Sequence, residues 1–401
     1  MRISALKKTA VLLAAVMLTA CAQTPKNVKD RNSSQAGQSS SLQSREQSES
    51  IADSKAEKRE VSKTVSEKDL EKCVQGSTDI ILAGKYDNLK IDSNFKIIAN
   101  AYPSDYQASV PTDYEKNADS VFGSFLPDKT QGYYPSQKKL HNDPNSDNRT
   151  YEYSNALKQG YVSSNGTVAI VEKEYMNKAI YGTSVPVTET RNLLMPVTDD
   201  RLSLGSAELD IRDLNRQTDE ILNLFSTCNN GKVFFKPYSI STIAEQSGET
   251  LAFMHCRREI DGIPVFDSVP HINDQFLEMP IMLGPVLAFN DKCRAVQMNF
   301  SQNIELKEKK DIKEILTPEY AFEAASKSLA PHLDLTARFE ELVYIPIIDL
   351  NGSKNRLDVS QFKEVMLKPY WVIHFETDWW KEVYAAVDAV TGEICYVNNR
   401  I

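Results

Sequence analysis

The stretch PYWVIHFETDWWKEVYAAVDAVTGEI, residues 369–394, gathers the residue types from which chemistry is most often built. His374, Glu376 and Asp378 recur at every second position. An imidazole with carboxylates suits a hard or borderline divalent ion, or a proton transfer. On an extended strand, alternation puts Trp371, Ile373 and Phe375 on one face and Tyr370, Val372, His374 and Glu376 on the other. Asp378 joins them if the strand runs that far. Next-but-one neighbours on a strand stand about 6.6 Å apart, so the three meet one ion only with help from elsewhere. The stretch therefore reads as architecture, a strand with one packed face and polar residues turned to water. The metal site His374–Glu376–Asp378 is the alternative. Trp379 and Trp380 are adjacent and cannot both enter one core, which makes them candidate contacts for a protein or glycan partner.

Elsewhere the chemistry-bearing residues are scattered. His141, His255, His271, His332 and His374 stand singly. His255 precedes Cys256, but adjacent residues on a strand face opposite sides, which separates a base from a thiol nucleophile. The chain carries no GxSxG elbow, HExxH, phosphate-binding glycine loop or GxGxxG fingerprint. No catalytic residue and no cofactor are assigned. Scattered Asp and Glu leave a glycosidase pair open. Tyr102, Tyr106, Tyr133 and Tyr134 are read as loop packing before sugar stacking.

The elements that must position these residues come after a distinctive N-terminus. MRISALKKTAVLLAAVMLTAC opens with Arg2, Lys7 and Lys8, and its apolar run from Ala10 to Leu18 is about half of what a membrane span needs. Leu18-Thr19-Ala20-Cys21 resembles the bacterial lipobox. That resemblance implies a signal peptide over 1–20, diacylglycerol on the Cys21 thiol, and an extracytoplasmic protein anchored to the cell membrane. Two acyl chains suffice for stable anchoring where one does not. Residues 21–72 are rich in Ser, Gln, Lys and Glu and lack aromatics, so they read as a disordered tether with a reach of roughly 40 Å. Loss of Arg2, Lys7 and Lys8 takes the formal charge from −9 to −12. Such a surface disfavours nucleic acid and anionic lipid as partners. Cys73, Cys228, Cys256, Cys293 and Cys395 remain, an odd number without a CxxC motif. A Cys256–Cys293 bridge and five thiols are both open.

The folded part reads as α+β. Residues 73–205 show short strand-like runs (DIILAG, FKIIANAY, TVAIVEKEY) between turn clusters and no long amphipathic helix, which predicts a β-rich region. A helix is expected from Ser206 to about 226, with Leu214, Ile221, Leu222 and Phe225 on one face. A second is expected over 317–330, capped by Thr317 with Pro318 at its first position. Strands follow each helix, among them a hairpin turning at Asn290-Asp291-Lys292. Two units, 206–305 and 306–401, are thus expected, each an antiparallel sheet covered by one helix.

Three short motifs carry a family resemblance. Arg257-Arg258-Glu259-Ile260-Asp261-Gly262-Ile263-Pro264-Val265 resembles the strand–glycine–strand corner of PepSY and fungalysin/thermolysin propeptide modules. Tyr384–Ile394 resembles the closing hairpin of PepSY-like domains, and Lys368-Pro369-Tyr370-Trp371 the matching region of YycH/YycI-type regulators. The whole resembles Gram-positive surface lipoproteins with tandem PepSY-like modules. The resemblance implies a non-enzymatic protein that binds or restrains an extracytoplasmic protein. A transporter-associated solute-binding lipoprotein and a cell-wall or peptide hydrolase are the alternatives.

Overall fold

The structure is a computed structural model that describes residues 63–86, 89–124, 137–142, 149–154, 157–175, 187–194, 200–228, 233–244, 250–266, 284–300, 303–329, 335–347, 364–376 and 383–397. Cys21, the signal peptide, most of the tether, Asp378, Trp379 and Trp380 lie outside the described residues, as does the side chain of Phe225. The folded unit begins at Lys63. Strand β1 (Thr64–Val65) pairs with β17 (Ile315–Leu316), and helix α1 (Leu70–Ala83) follows within a few residues. The expected tether boundary at 72 therefore falls inside a helix.

The chain is mixed α+β, and its strands form two large sheets. The first runs β4 (Gln137–Asn142), β5 (Arg149–Ser154), β6 (Lys158–Ser163), β7 (Val168–Glu172), β15 (Ala295–Phe300), β14 (Val286–Phe289), β12 (Thr250–Ile260), β11 (Phe234–Ala244), β8 (Val187–Asn192), with β13 (Ile263–Pro264) paired to β12. The second runs β16 (Glu305–Asp311), β3 (Ser104–Ser109), β19 (Glu364–Glu376), β18 (Leu335–Ile347), β2 (Leu89–Ile98), with β20 (Val383–Asp388) on β19 and β21 (Ile394–Val397) on β20. Strands β9 (Arg201–Leu204) and β10 (Ala207–Asp210) make a hairpin of their own. Among the described residues the strand ladders are antiparallel, except that β18 pairs in parallel with β2.

Several expectations change here. The strands of the β-rich region 73–205 are divided among sheets, β2 and β3 completing the second and β4 to β8 extending the first. Among the described residues, two helices pack on each large sheet. Helices α2 (Ala118–Ser124) and α3 (Ile211–Cys228) lie against the first, and α1 and α4 (Pro318–Ser328) against the second. Helix α1 was hidden by its composition. Gly76, Ser77 and Thr78 interrupt it, and DIILAG alone looks like a strand. Helix α3 starts later than Ser206 because residues 207–210 turn back on β9 through Gly205 at φ 62°. Leu214, Ile221 and Leu222 are buried, as their spacing predicts.

Other local readings hold. Thr317 sits in extended conformation and its Oγ1 accepts from the Tyr320 N–H at 3.3 Å, with Pro318 opening α4. Strands β14 and β15 pair around Asn290–Arg294, and β20 and β21 turn through Gly392 at φ 77°. Asp388 Oδ1 ties that last turn by accepting from Val390 and Thr391 N–H, each at 2.8 Å. Trp371, Ile373 and Phe375 share the main core with Phe95 and Phe322, and the Trp371 indole donates to the Leu316 carbonyl at 2.9 Å. The opposite face of β19 turns to water only in part: Glu364 and Met366 are exposed and His374 and Glu376 partly so, but Tyr370 and Val372 are buried in a smaller cluster with Phe266, Val343, Ile345 and Ala386. Cys73, Cys256 and Cys293 are free thiols. Cys256 bonds to Pro285, just before β14 begins, and Cys293 sits in the turn beyond the far end of β14, so no bridge joins them.

Trp371→Ala is expected to cost about 3–5 kcal/mol from the cavity it leaves, and Thr317→Ala about 1 kcal/mol from loss of the cap. Urea unfolding of the two variants checks both values and their order.

Candidate functional site

The two sheets meet where the β12–β13 hairpin of the first reaches into the second. Asp261 (φ 50°) and Gly262 (φ 83°) make its turn, and the left-handed backbone at 262 favours glycine. Asp261 accepts from the Tyr106 hydroxyl, and its Oδ2 is 2.9 Å from Lys309 Nζ, so β3 and β16 hold the tip. Val265 then pairs in parallel with Tyr344 of β18, and the Phe266 N–H donates to the Tyr344 carbonyl at 2.8 Å. The residues Arg257–Val265, whose pattern gave the family resemblance, are thus the joint between the sheets.

Beside that joint lies a buried ionic node. Arg257 of β12 grips Glu341 of β18 with both terminal nitrogens, Nη1 to Oε1 at 2.8 Å and Nη2 to Oε2 at 3.0 Å. The side chains are 7 % and 0 % exposed. His374 Nε2 of β19 lies 2.8 Å from the same Oε1. Burial pushes the Glu341 carboxyl up, but Arg257 and His374 outweigh it and hold the group at about 2. A carboxylate so held has no proton to give, so Nε2–H is the donor of the His374 bond. Phe339 stacks on the His374 ring at 4.0 Å, and Phe266 meets it edge-on at 5.9 Å.

A polar seam continues from the node over the first sheet. The register of β11 on β12 slips between Pro237 and Ser239, leaving Tyr238 as an extra residue in a bulge. From there its ring lies 5.1 Å from the Arg257 guanidinium and 6.4 Å from the His255 ring. His255 Nε2 is 3.0 Å from Ser241 Oγ across the strand pair. Burial lowers the affinity of His255 for a proton, which keeps the ring neutral. Ser241 and His255 share a face, and Cys256 takes the other, as alternation requires.

Set against the sequence, this arrangement separates the metal candidates. His374 is committed to Glu341, and the Glu376 carboxylate lies 2.6 Å from Arg338 Nε. Asp378 lies outside the described residues, among which no group of three His, Cys, Asp or Glu is placed to hold a metal ion. Arg257, Glu341, Tyr238 and Ser241 were missed by sequence reasoning. Two acids in the middle of an apolar strand, RFEELVYIPI, were the available signal, since buried charges demand partners.

No family model matches the chain, and no curated protein matches it either. Among solved structures the fold is similar to an uncharacterized protein from Eubacterium rectale ATCC 33656. The TM-score is 0.51 at 14% identity, over 81% of this chain and 97% of the other. That likeness concerns the fold alone. No helix among the described residues is long and apolar enough to cross a membrane.

Arg257→Ala leaves Glu341 buried without its main partner and is expected to destabilise by about 3–5 kcal/mol. The double change Arg257→Met with Glu341→Leu is expected to cost less than either single change; urea unfolding of the three variants checks this. The Glu341 carboxyl sits below its unfolded value. Its contribution is therefore present above about pH 4.5 and lost as pH falls toward about 2. Glu341→Gln is expected to flatten that acid limb in stability measured against pH.

Proposed function

We propose that this chain is a surface-tethered, non-enzymatic binding or regulatory protein, carried on a lipid at Cys21 and acting on an extracytoplasmic protein. The lipobox-like LTAC, the Ser/Gln-rich segment after it and a folded unit beginning at Lys63 fit a body held away from a membrane. The observation that carries the non-enzymatic part is the state of Glu341. A carboxylate held at about 2 and occupied by a guanidinium and an imidazole is a poor general base and no general acid near neutral pH. The residues that look most like machinery serve to join the sheets. PepSY-like identity for the two sheet-and-helix assemblies belongs to the same proposal, supported by the positive-φ glycine corner at 262 and the Asp388-tied hairpin at 392.

A second reading rests on a different observation. Ser241 Oγ and His255 Nε2 at 3.0 Å are at the distance of a nucleophile and its base, and a neutral imidazole is the form that accepts a proton. That contact favours a hydrolase acting on peptide or wall polymer.

Cys21→Ala is expected to abolish incorporation of labelled fatty acid and move the chain from the membrane fraction to the soluble one. The full chain is expected to show no turnover on peptide or wall-polymer substrates. Robust hydrolysis removed by Ser241→Ala would replace the binding reading with the hydrolase.

A further inference from the structure

Glu340 and Glu341 are consecutive on β18 and point to opposite faces of the second sheet. Glu341 meets Arg257. Glu340 faces the helix layer, in register with Ile97 of β2 and Ile373 of β19. Its side chain is entirely buried, and neither Oε1 nor Oε2 has a hydrogen-bond partner. The layer above it is built from α1 and α4, where Phe322 meets Phe95 at 5.5 Å and Tyr86 at 5.1 Å. A second acid, Glu319 at the start of α4, is only partly covered, with one buried oxygen, Oε2, that has no hydrogen-bond partner. The titratable groups around this layer are Glu319 and Glu323 from α4, Tyr86 from the α1–β2 connection, and Cys73 from α1.

We propose that Glu340 is a proton-operated latch under the α1–α4 pair: as the neutral acid it lies shut inside the packed layer, and as the carboxylate it drives that pair off the sheet. The physical ground is the cost of placing an unpaired carboxylate in an apolar layer, which only hydration relieves. Ionisation sends one proton to water or buffer, and the anion left behind reaches water only if the helices move. Burial raises the Glu340 carboxyl well above its ordinary range, so the closed form is fully favoured below about pH 4.5 and loses its advantage as pH rises. Besides its packing on β2, β19 and β20, the helix pair is tied at the chain's entry by short contacts. These are the two-residue ladder of β1 with β17 and the bond from the Thr317 N–H to the Lys63 carbonyl at 3.0 Å.

Hydrogen exchange of the full chain, corrected for the intrinsic pH dependence of amide exchange, tests the latch. In the wild type, opening of residues 70–83 and 318–328 is expected to increase with pH by up to about tenfold per unit, the slope of one proton. Strands β5 to β7 of the first sheet are expected to stay flat. Glu340→Gln and Glu340→Leu are expected to remove the slope, the leucine variant serving if the buried amide impairs folding. A slope that persists in either variant, or a wild-type rise shared equally by both sheets, would overturn the proposal.

Discussion

A guanidinium from one sheet closes on a carboxylate from the other in nearly complete burial, and the arrangement of the molecule depends on that contact. Dehydrating two such ions costs several kcal/mol each, and their attraction returns this only when the geometry is good. Here it is good: the fork of Arg257 matches both oxygens of Glu341, and His374 occupies the remaining direction. The stability gained is modest. The directional gain is larger, because β12, β18 and β19 satisfy these three groups together in one register. Apolar contacts such as Phe266 with Val343 and Val372 are far less selective about register than a bidentate pair.

The same strand shows how position decides the fate of a side chain. Glu340 and Glu341 are chemically identical neighbours, yet the pleat sends one to a cation and the other into hydrocarbon. One is held ionised; burial favours the neutral form of the other. The difference lies entirely in what stands opposite each of them, and no property of the dipeptide encodes it. A similar division applies to β19, where Trp371 and Tyr370 are both buried but in separate clusters on the two faces of the sheet.

Much of the local grammar was legible in the sequence. The Thr317–Pro318 cap, the Asn290 and Gly392 turns, the Asp261–Gly262 corner and the alternation along β19 follow from short-range rules, and the backbone obeys them. What resisted was partnership over long separation. Strand β2 joins the second sheet beside β18, some 240 residues further along, and in parallel, which hairpin logic does not produce. Helix α1 fails on propensity and forms because α4 and β2 pack against it. Residues 73–205 looked like a region of their own because their strands are short, but those strands are divided between two sheets that later segments complete. Of the site, His374 stood out by type. Its partners did not, since Arg257 and Glu341 lie in separate strands and match only once the sheets meet.

The outer strand of the second sheet has a consequence of a different kind. Along β16, six of the seven residues ELKEKKD are exposed, and three of them are lysines. An edge with free backbone groups invites another chain to add a strand, and charged side chains along it are one of the ways proteins discourage that. A neighbouring copy adding a strand there would have to desolvate six charged side chains, three lysines and three acids, which disfavours fibrous growth of the second sheet from that side.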